Sequence, residues 1–157
     1  MAGKIQTSNF AKAEMLIRKP VEQVFEAFIN PEITTRFWFT KSSGRLDENK
    51  QVEWTWEMYN HTVPVSVKSI EPNTKIVIEW GNGEDTTIME WTFKSLEDTG
   101  TFVSINNSGF KGDTNEIIAQ VRDSTEGFTL VLAGLKALLE HNIRLNLVGD
   151  RFPDGLS

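Results

Sequence analysis

Few side chains in this sequence suit bond-making chemistry. The chain has two histidines, His61 and His141, and no cysteine. His61 falls in a predicted hairpin turn. His141 falls near the end of a predicted helix, where an imidazolium suits the negative end of the helix dipole. No HExxH or similar spacing joins either histidine to carboxylates, so no metal site is read from the sequence. There is no GxSxG, and without a thiol or a suitably placed histidine a nucleophile triad does not assemble. Neither a P-loop nor GxGxxG is present, and Gly81-Asn82-Gly83 reads as a turn. No catalytic residue and no cofactor is assigned.

What remains is carboxylates set among large aromatic rings. Glu53 and Glu57 alternate along one predicted strand with Thr55 and Tyr59 on the same face, and Glu79 and Glu90 lie on neighbouring strands. They either form the solvated convex face of a sheet, or one of them points inward as a general base whose pKa burial would raise. The aromatic set is lopsided, with ten Phe and five Trp against one Tyr. Each large ring carries roughly 150–250 Å² of surface to bury. Trp54 and Trp56 share a strand face, Trp80 and Trp91 sit on later strands, and Trp38 follows a short helix. Facing Phe128, Leu132 and Leu135 of the last helix, they either wall an apolar pocket or fill a solid aromatic core. Arg36, two residues before Trp38, is placed to reach the mouth of such a pocket and pair with a ligand's acid group. The candidate ligand-binding residues are therefore Trp38, Trp54, Trp56, Trp80, Trp91, Phe128, Leu132 and Arg36.

Composition narrows the partners. A formal net charge of −6 disfavours a nucleic-acid surface, which needs a basic face, and disfavours anionic membranes. No apolar run approaches the ~20 residues of a membrane helix. Residues Met1 to Gln6 contain no apolar core of a signal peptide, so a cytoplasmic location is expected. No linker, repeat or low-complexity segment divides residues 1–157, which read as one domain with an arm over 1–9 and a tail over 143–157.

The elements that must position these residues follow from periodicity. Phe10 to Lys19 reads as strand one, ending before Pro20, which suits a helix's first turn. Val21, Val24, Phe25, Phe28 and Ile29 recur at helical spacing, and Pro31 opens a second short helix, from Glu32 to about Phe37. Ser42-Ser43-Gly44 and Asp47 to Lys50 read as turns. Strict alternation then marks strands over Val52–Tyr59, Val63–Lys68, Ile76–Trp80, Ile88–Ser95 and Thr101–Asn107, an antiparallel meander. Asn60-His61 serves as a hairpin turn, and Pro64 requires an edge, an end or a bulge. From Asp113 or Thr114 the period becomes helical to about Asn142, with Asp113 and Glu116 spaced as a capping box. Such a helix of ~28 residues spans ~42 Å, with Ser124-Thr125 as the place for a break. Gly127 and Gly134 share one of its faces at ~1 kcal/mol each relative to alanine, which calls for close approach of the sheet or of a ligand. The tail should be irregular, pinned by Leu145, Leu147 and Phe152.

Three segments carry a family resemblance. Pro20-Val21-Glu22-Gln23-Val24-Phe25-Glu26-Ala27-Phe28 resembles the opening P-x-x-V-F/W-x-A-h segment of START-like domains, where h is any apolar residue. Glu32 to Phe39, ending Arg36-Phe37-Trp38-Phe39, is similar to the segment that follows it, and Gly127 to His141 is similar to the terminal helix. The chain thus resembles the Hsp90 ATPase activator homologue family within the START-like (SRPBCC) superfamily of polyketide cyclases and lipid-transfer proteins. The resemblance implies an α+β helix-grip fold: a curved antiparallel sheet of about six strands around a long C-terminal helix, two short helices after strand one, and a cavity between sheet and helix. It implies no single activity. The eukaryotic activator carries a separate N-terminal Hsp90-binding domain, whereas only nine residues precede strand one here, so a stand-alone bacterial-type member is the nearer comparison. Three roles stay open: a carrier or sensor of a small apolar or aromatic ligand, a co-chaperone-like or stress-response interaction module, and a cyclase- or hydratase-type enzyme using a cavity carboxylate. Oligomeric state is not assigned.

Overall fold

A computed structural model describes residues 9–47 and 50–154. The arm over 1–8, the middle of the Asp47–Lys50 turn and the last three residues lie outside the described residues. Seven strands form one antiparallel sheet: β1 (Phe10–Ile17), β2 (Lys41–Ser42), β3 (Gln51–Trp56), β4 (His61–Glu71), β5 (Lys75–Trp80), β6 (Thr87–Ser95) and β7 (Thr101–Ser108), in the order β1-β7-β6-β5-β4-β3-β2. Between β1 and β2 lie α1 (Val21–Ile29) and α2 (Pro31–Thr34), and after β7 come α3 (Thr114–His141) and α4 (Leu147–Arg151). This is the helix-grip arrangement. The seventh strand is the two-residue β2, which pairs with Thr55 and Trp54 where a turn was expected at Ser42.

Alternation decides which side chains face α3. Val52, Trp54 and Trp56 point inward from β3, Met89, Trp91 and Phe93 from β6, and Val103 and Ile105 from β7. Glu79 and Glu90 instead meet Lys68 and Lys75 on the outer face, at 3.3 and 3.5 Å, and Glu53 and Glu57 are exposed. Pro64 sits inside β4, opposite Glu53. Its carbonyl accepts from Gly81 N–H at 3.2 Å, just past the end of β5. The side of Pro64 without an N–H therefore faces chain that has already left the ladder. Of the three ways to accommodate the proline, the sheet uses an end, and its bulge falls later, between Val67 and Ser69.

One expected strand stops early. β3 ends at Trp56, and Glu57–Tyr59 form a single 3-10 turn closed by Asn60 in the left-handed region at φ 50°. Tyr59 consequently leaves the outer face on which alternation placed it, and packs against the core.

The helix α3 is continuous through Ser124-Thr125. Hydroxyl residues that bond to carbonyls one turn back weaken a helix only slightly, and α3 runs on through them. Ser124 donates to Asn107 Oδ1 of β7, while Thr125 and Thr129 donate to carbonyls four residues back, at 2.7 Å each. The capping box forms as the spacing requires, with both reciprocal bonds at 2.9 Å.

Near its C-terminus α3 is tied to β1 through Glu140, whose side chain is only 10% exposed. Its Oε2 accepts from Arg18 N–H at 2.7 Å and from Lys136 Nζ at 2.7 Å, and Lys136 also donates to Leu16 O at 2.8 Å. Burial pushes the Glu140 carboxyl up, but the bonds from Lys136 and Arg18 outweigh it and hold the group below the usual carboxylate range. A carboxyl depressed in the folded state adds stability above its unfolded pKa, about 4.3. That contribution is lost as pH falls through the lower folded value. Glu140→Gln is therefore expected to cost about 1.5–3 kcal/mol at pH 7, the range for hydrogen bonds to a charged group. The gap to wild type should narrow in urea unfolding as pH falls below the usual carboxylate range, and a pH-independent gap would contradict the assignment.

The two helix glycines have different surroundings. A Cβ on Gly134 would lie 3.4 Å from Phe37 Cβ and Phe37 O, so this glycine admits the segment after α2 rather than the sheet. Gly134→Leu is expected to destabilise by about 1–3 kcal/mol through overpacking, with Gly134→Ala near neutral by thermal melting. A Cβ on Gly127 would meet nothing within 4 Å.

Candidate functional site

That open space belongs to a cavity under the first half of α3. No side chain of α3 is fully buried before Phe128, so the helix packs tightly on the sheet only from that point and reaches it earlier through the hydrogen bond from Ser124 to Asn107. The gap ahead of it holds two adjoining hollows, of about 380 and 480 Å³. Both are bordered by Tyr59, Trp80, Asn107 and Val148. Ligand pockets commonly occupy about 300–1,000 Å³.

The first hollow is walled by Trp38, Trp80, Phe128 and Val131, with Gly127 as its floor on α3. Trp38 anchors this wall. Its ring lies 4.8 Å from Trp54, 5.9 Å from Trp80 and 5.7 Å from Phe128, centroid to centroid and edge-on, the geometry that aromatic quadrupoles favour. The second hollow opens toward Trp56, Val63, Thr87 and Phe110, with His61 and Asp85 at its border, both exposed.

The predicted site residues thus divide by depth. Trp38, Trp56, Trp80 and Phe128 border the hollows. Trp54, Trp91 and Leu132, at 1%, 0% and 0% exposure, stand one layer behind and support that wall. Arg36 borders neither hollow: exposed, it lines a neighbouring groove of about 260 Å³ between the end of α2 and α4, beside Arg144 and Asn146, which shares Trp38 and Val148 with the first hollow. It follows α2 on the outer side, whereas Phe37, Trp38 and Phe39 turn inward.

The far wall comes from the tail. Residues after Asn142 were expected to be irregular, but Leu147–Arg151 forms α4. Tyr59 Oη donates to Val148 O at 2.5 Å and also approaches Gly149 O at 3.3 Å. Arg151 Nε donates to Glu126 Oε1 of α3 at 2.6 Å, and the Arg151 guanidinium lies 4.2 Å from the centre of the Phe152 ring. Of the expected pins, Leu147 is half-buried and Phe152 meets Tyr59 edge-on at 6.2 Å. Leu145 is exposed, and Val148 packs against the core in its place.

A line of polar groups crosses the cavity. Asn107, 3% exposed, donates from Nδ2 to Ile88 O and to Thr87 Oγ1, both at 2.9 Å, and accepts from Ser124 at Oδ1. Trp80 Nε1 donates to the same Thr87 oxygen at 3.0 Å. The carboxylates bordering the hollows, Asp85, Asp123 and Glu126, are exposed. Tyr59, Thr87, Asn107, Ser124 and Val148 join the site without a place among the sequence candidates, whereas Gly127 is the helix glycine whose spacing calls for close approach of the sheet or of a ligand. For Asn107 and Thr87 a signal existed: each continues the inward phase of its strand, and a polar residue in an inward position asks for a partner.

The model of the family described as activator of Hsp90 ATPase homolog 1-like protein matches residues 18–140. This chain belongs to that family. The matched span runs from the end of β1 to the end of α3 and so contains the Trp38 segment, the meander and the helix that enclose the cavity. No curated protein matches the sequence. Among solved structures, protein SSP2350 from Staphylococcus saprophyticus is 28% identical with a TM-score of 0.74, over 87% of this chain and 95% of that one. The Aha1 dimer from Colwellia psychrerythraea is 17% identical with a TM-score of 0.72, over 84% of this chain and 96% of that one. DynU16, a protein of the dynemicin biosynthetic locus, is 16% identical with a TM-score of 0.77, over 88% of this chain but 49% of its own, so this chain spans about half of it. The latter two likenesses establish the fold alone. Among the described residues no helix is long and apolar enough to cross a membrane.

Proposed function

We propose that this member of the activator of Hsp90 ATPase homolog 1-like family is a carrier or sensor of a small apolar or aromatic molecule, acting as one domain in the cytoplasm. The observation that carries the reading is the pair of adjoining hollows walled by Trp38, Trp80 and Phe128. Apolar walls supply affinity through the area they remove from water, and a few fixed polar groups orient the guest. The enzyme reading needs a carboxylate buried among the rings, and the carboxylates bordering these hollows lie at their exposed rim. The family's description raises the second reading, a chaperone as partner.

Native mass spectrometry of the protein purified from its own host, without organic solvent, tests the choice. A retained small molecule is the expected result and gives its chemical class. An empty protein that captures a chaperone in a pull-down would overturn the carrier reading in favour of the interaction module.

A further inference from the structure

The polar line across the cavity has a fixed direction, and it leaves one donor without an acceptor. The carbonyl of Ile88 can only accept, so the Asn107 atom bonded to it at 2.9 Å is the amide nitrogen. Asn107 Oδ1 can then only accept, so the Ser124 hydroxyl gives its hydrogen to Asn107. The second amide hydrogen of Asn107 goes to Thr87 Oγ1, and the indole of Trp80, which can only donate, goes to the same oxygen. A hydroxyl carries two acceptor sites and one hydrogen. Both acceptor sites of Thr87 are occupied. Its hydrogen has no acceptor among the described residues, although Thr87 is 8% exposed and borders the second hollow.

We infer that the Thr87 hydroxyl is the polar recognition point of the cavity, and that it takes an aromatic guest carrying a neutral hydrogen-bond acceptor such as a ketone carbonyl. The inference rests on the ligand-carrier reading and narrows it. Two donors directed onto Thr87 Oγ1 fix the oxygen and leave its hydrogen as the one free direction, which a guest's acceptor completes. The charge around the site selects against an acid. Asp85 borders the second hollow, Asp123 and Glu126 border the first, and Arg151 is already paired with Glu126. A carboxylate guest would meet these negative groups, whereas a carbonyl accepts the same bond without the charge.

The test compares 1-tetralone with tetralin, which share a skeleton and differ in the carbonyl, by isothermal calorimetry on wild type, Thr87→Val and Thr87→Ser. The ketone-to-hydrocarbon affinity ratio is expected to fall about three- to tenfold in Thr87→Val, the size of one neutral hydrogen bond, and to persist in Thr87→Ser. Taking the ratio cancels the difference in hydration of the two free ligands. A ratio unchanged by Thr87→Val, with both ligands still bound, overturns the Thr87 assignment and leaves the cavity reading standing. Failure of both ligands to bind wild type overturns the aromatic-ketone proposal, while the carrier reading stands or falls with the native mass spectrometry above. Should Thr87→Val not fold, the infrared carbonyl stretch of 1-tetralone bound to wild type decides. It is expected below its value in hexane, and an unshifted band overturns the proposal.

Discussion

Trp91→Ala is expected to lower folding stability by about 3–5 kcal/mol, the range for removing a large aromatic side chain from a packed core. Trp91 is 0% exposed, its ring centre lies 5.7 Å from Phe28 and 6.0 Å from Trp38, and it borders neither hollow. Deleting it leaves a void between the sheet, Phe28 of α1 and Trp38, which partial relaxation does not fill. Loss on this scale is a large share of the 5–15 kcal/mol that holds a domain together. Trp80 gives the contrast. It is half-buried, borders both hollows and already has open space on one side, so Trp80→Ala enlarges an existing cavity rather than creating one. Urea unfolding of the two variants should show the larger drop in midpoint for Trp91→Ala. Equal losses would mean that Trp80 is core and that the hollows it borders are closed in solution.

The same contrast shows how far the sequence is legible. Alternation has a period of two, so Val52, Trp54 and Trp56, or Met89, Trp91 and Phe93, could be assigned to one side of the sheet without knowing the neighbours. Depth is a different quantity. Whether a tryptophan lines a hollow or stands behind it depends on where α3 lifts from the sheet, and no local pattern encodes that point. The motifs around Pro20 and Trp38 were enough for the family because they are contiguous. The cavity's far wall was hidden for the opposite reason. Five residues of α4 are too few to show a helical period, and α4 is held by Tyr59 from a turn about ninety residues earlier. Tyr59 itself is deceptive in sequence because Glu57, Met58 and Tyr59 continue the strand's alternation after β3 has ended at Trp56. Asn60 at positive φ closes that turn; an asparagine tolerates this conformation, and it was the one local clue to the change of direction.

Gly127→Leu is expected to abolish binding of small apolar ligands while leaving the protein as stable as wild type or up to about 1 kcal/mol more stable. Glycine inside a helix costs roughly 0.8–1.0 kcal/mol relative to alanine, and leucine is nearly as good a helix former as alanine. That gain is realised only if the new side chain meets no obstacle, and a Cβ at this position has nothing within 4 Å. The direction is set by the neighbours one turn away: Asp123, Ser124, Leu130 and Val131 all border the first hollow with Gly127. A leucine here therefore projects into the first hollow, beside the contacting rings of Trp80 and Phe128, whose centres are 5.9 Å apart, and occupies the volume a guest would take. Gly127→Ala supplies the control, since it gains the same helix propensity but adds only a methyl group to a hollow of about 380 Å³. Thermal melting should place both variants at or above wild type, and calorimetry with 1-tetralone should show binding retained in Gly127→Ala and lost in Gly127→Leu. Binding that survives in a folded Gly127→Leu would remove the guest from the hollow beneath α3. A marked loss of stability would show that the tail closes onto α3 at Gly127 and that the space there is filled. Gain of stability together with loss of binding is the combination expected of a cavity kept open for a guest at the expense of the helix that covers it.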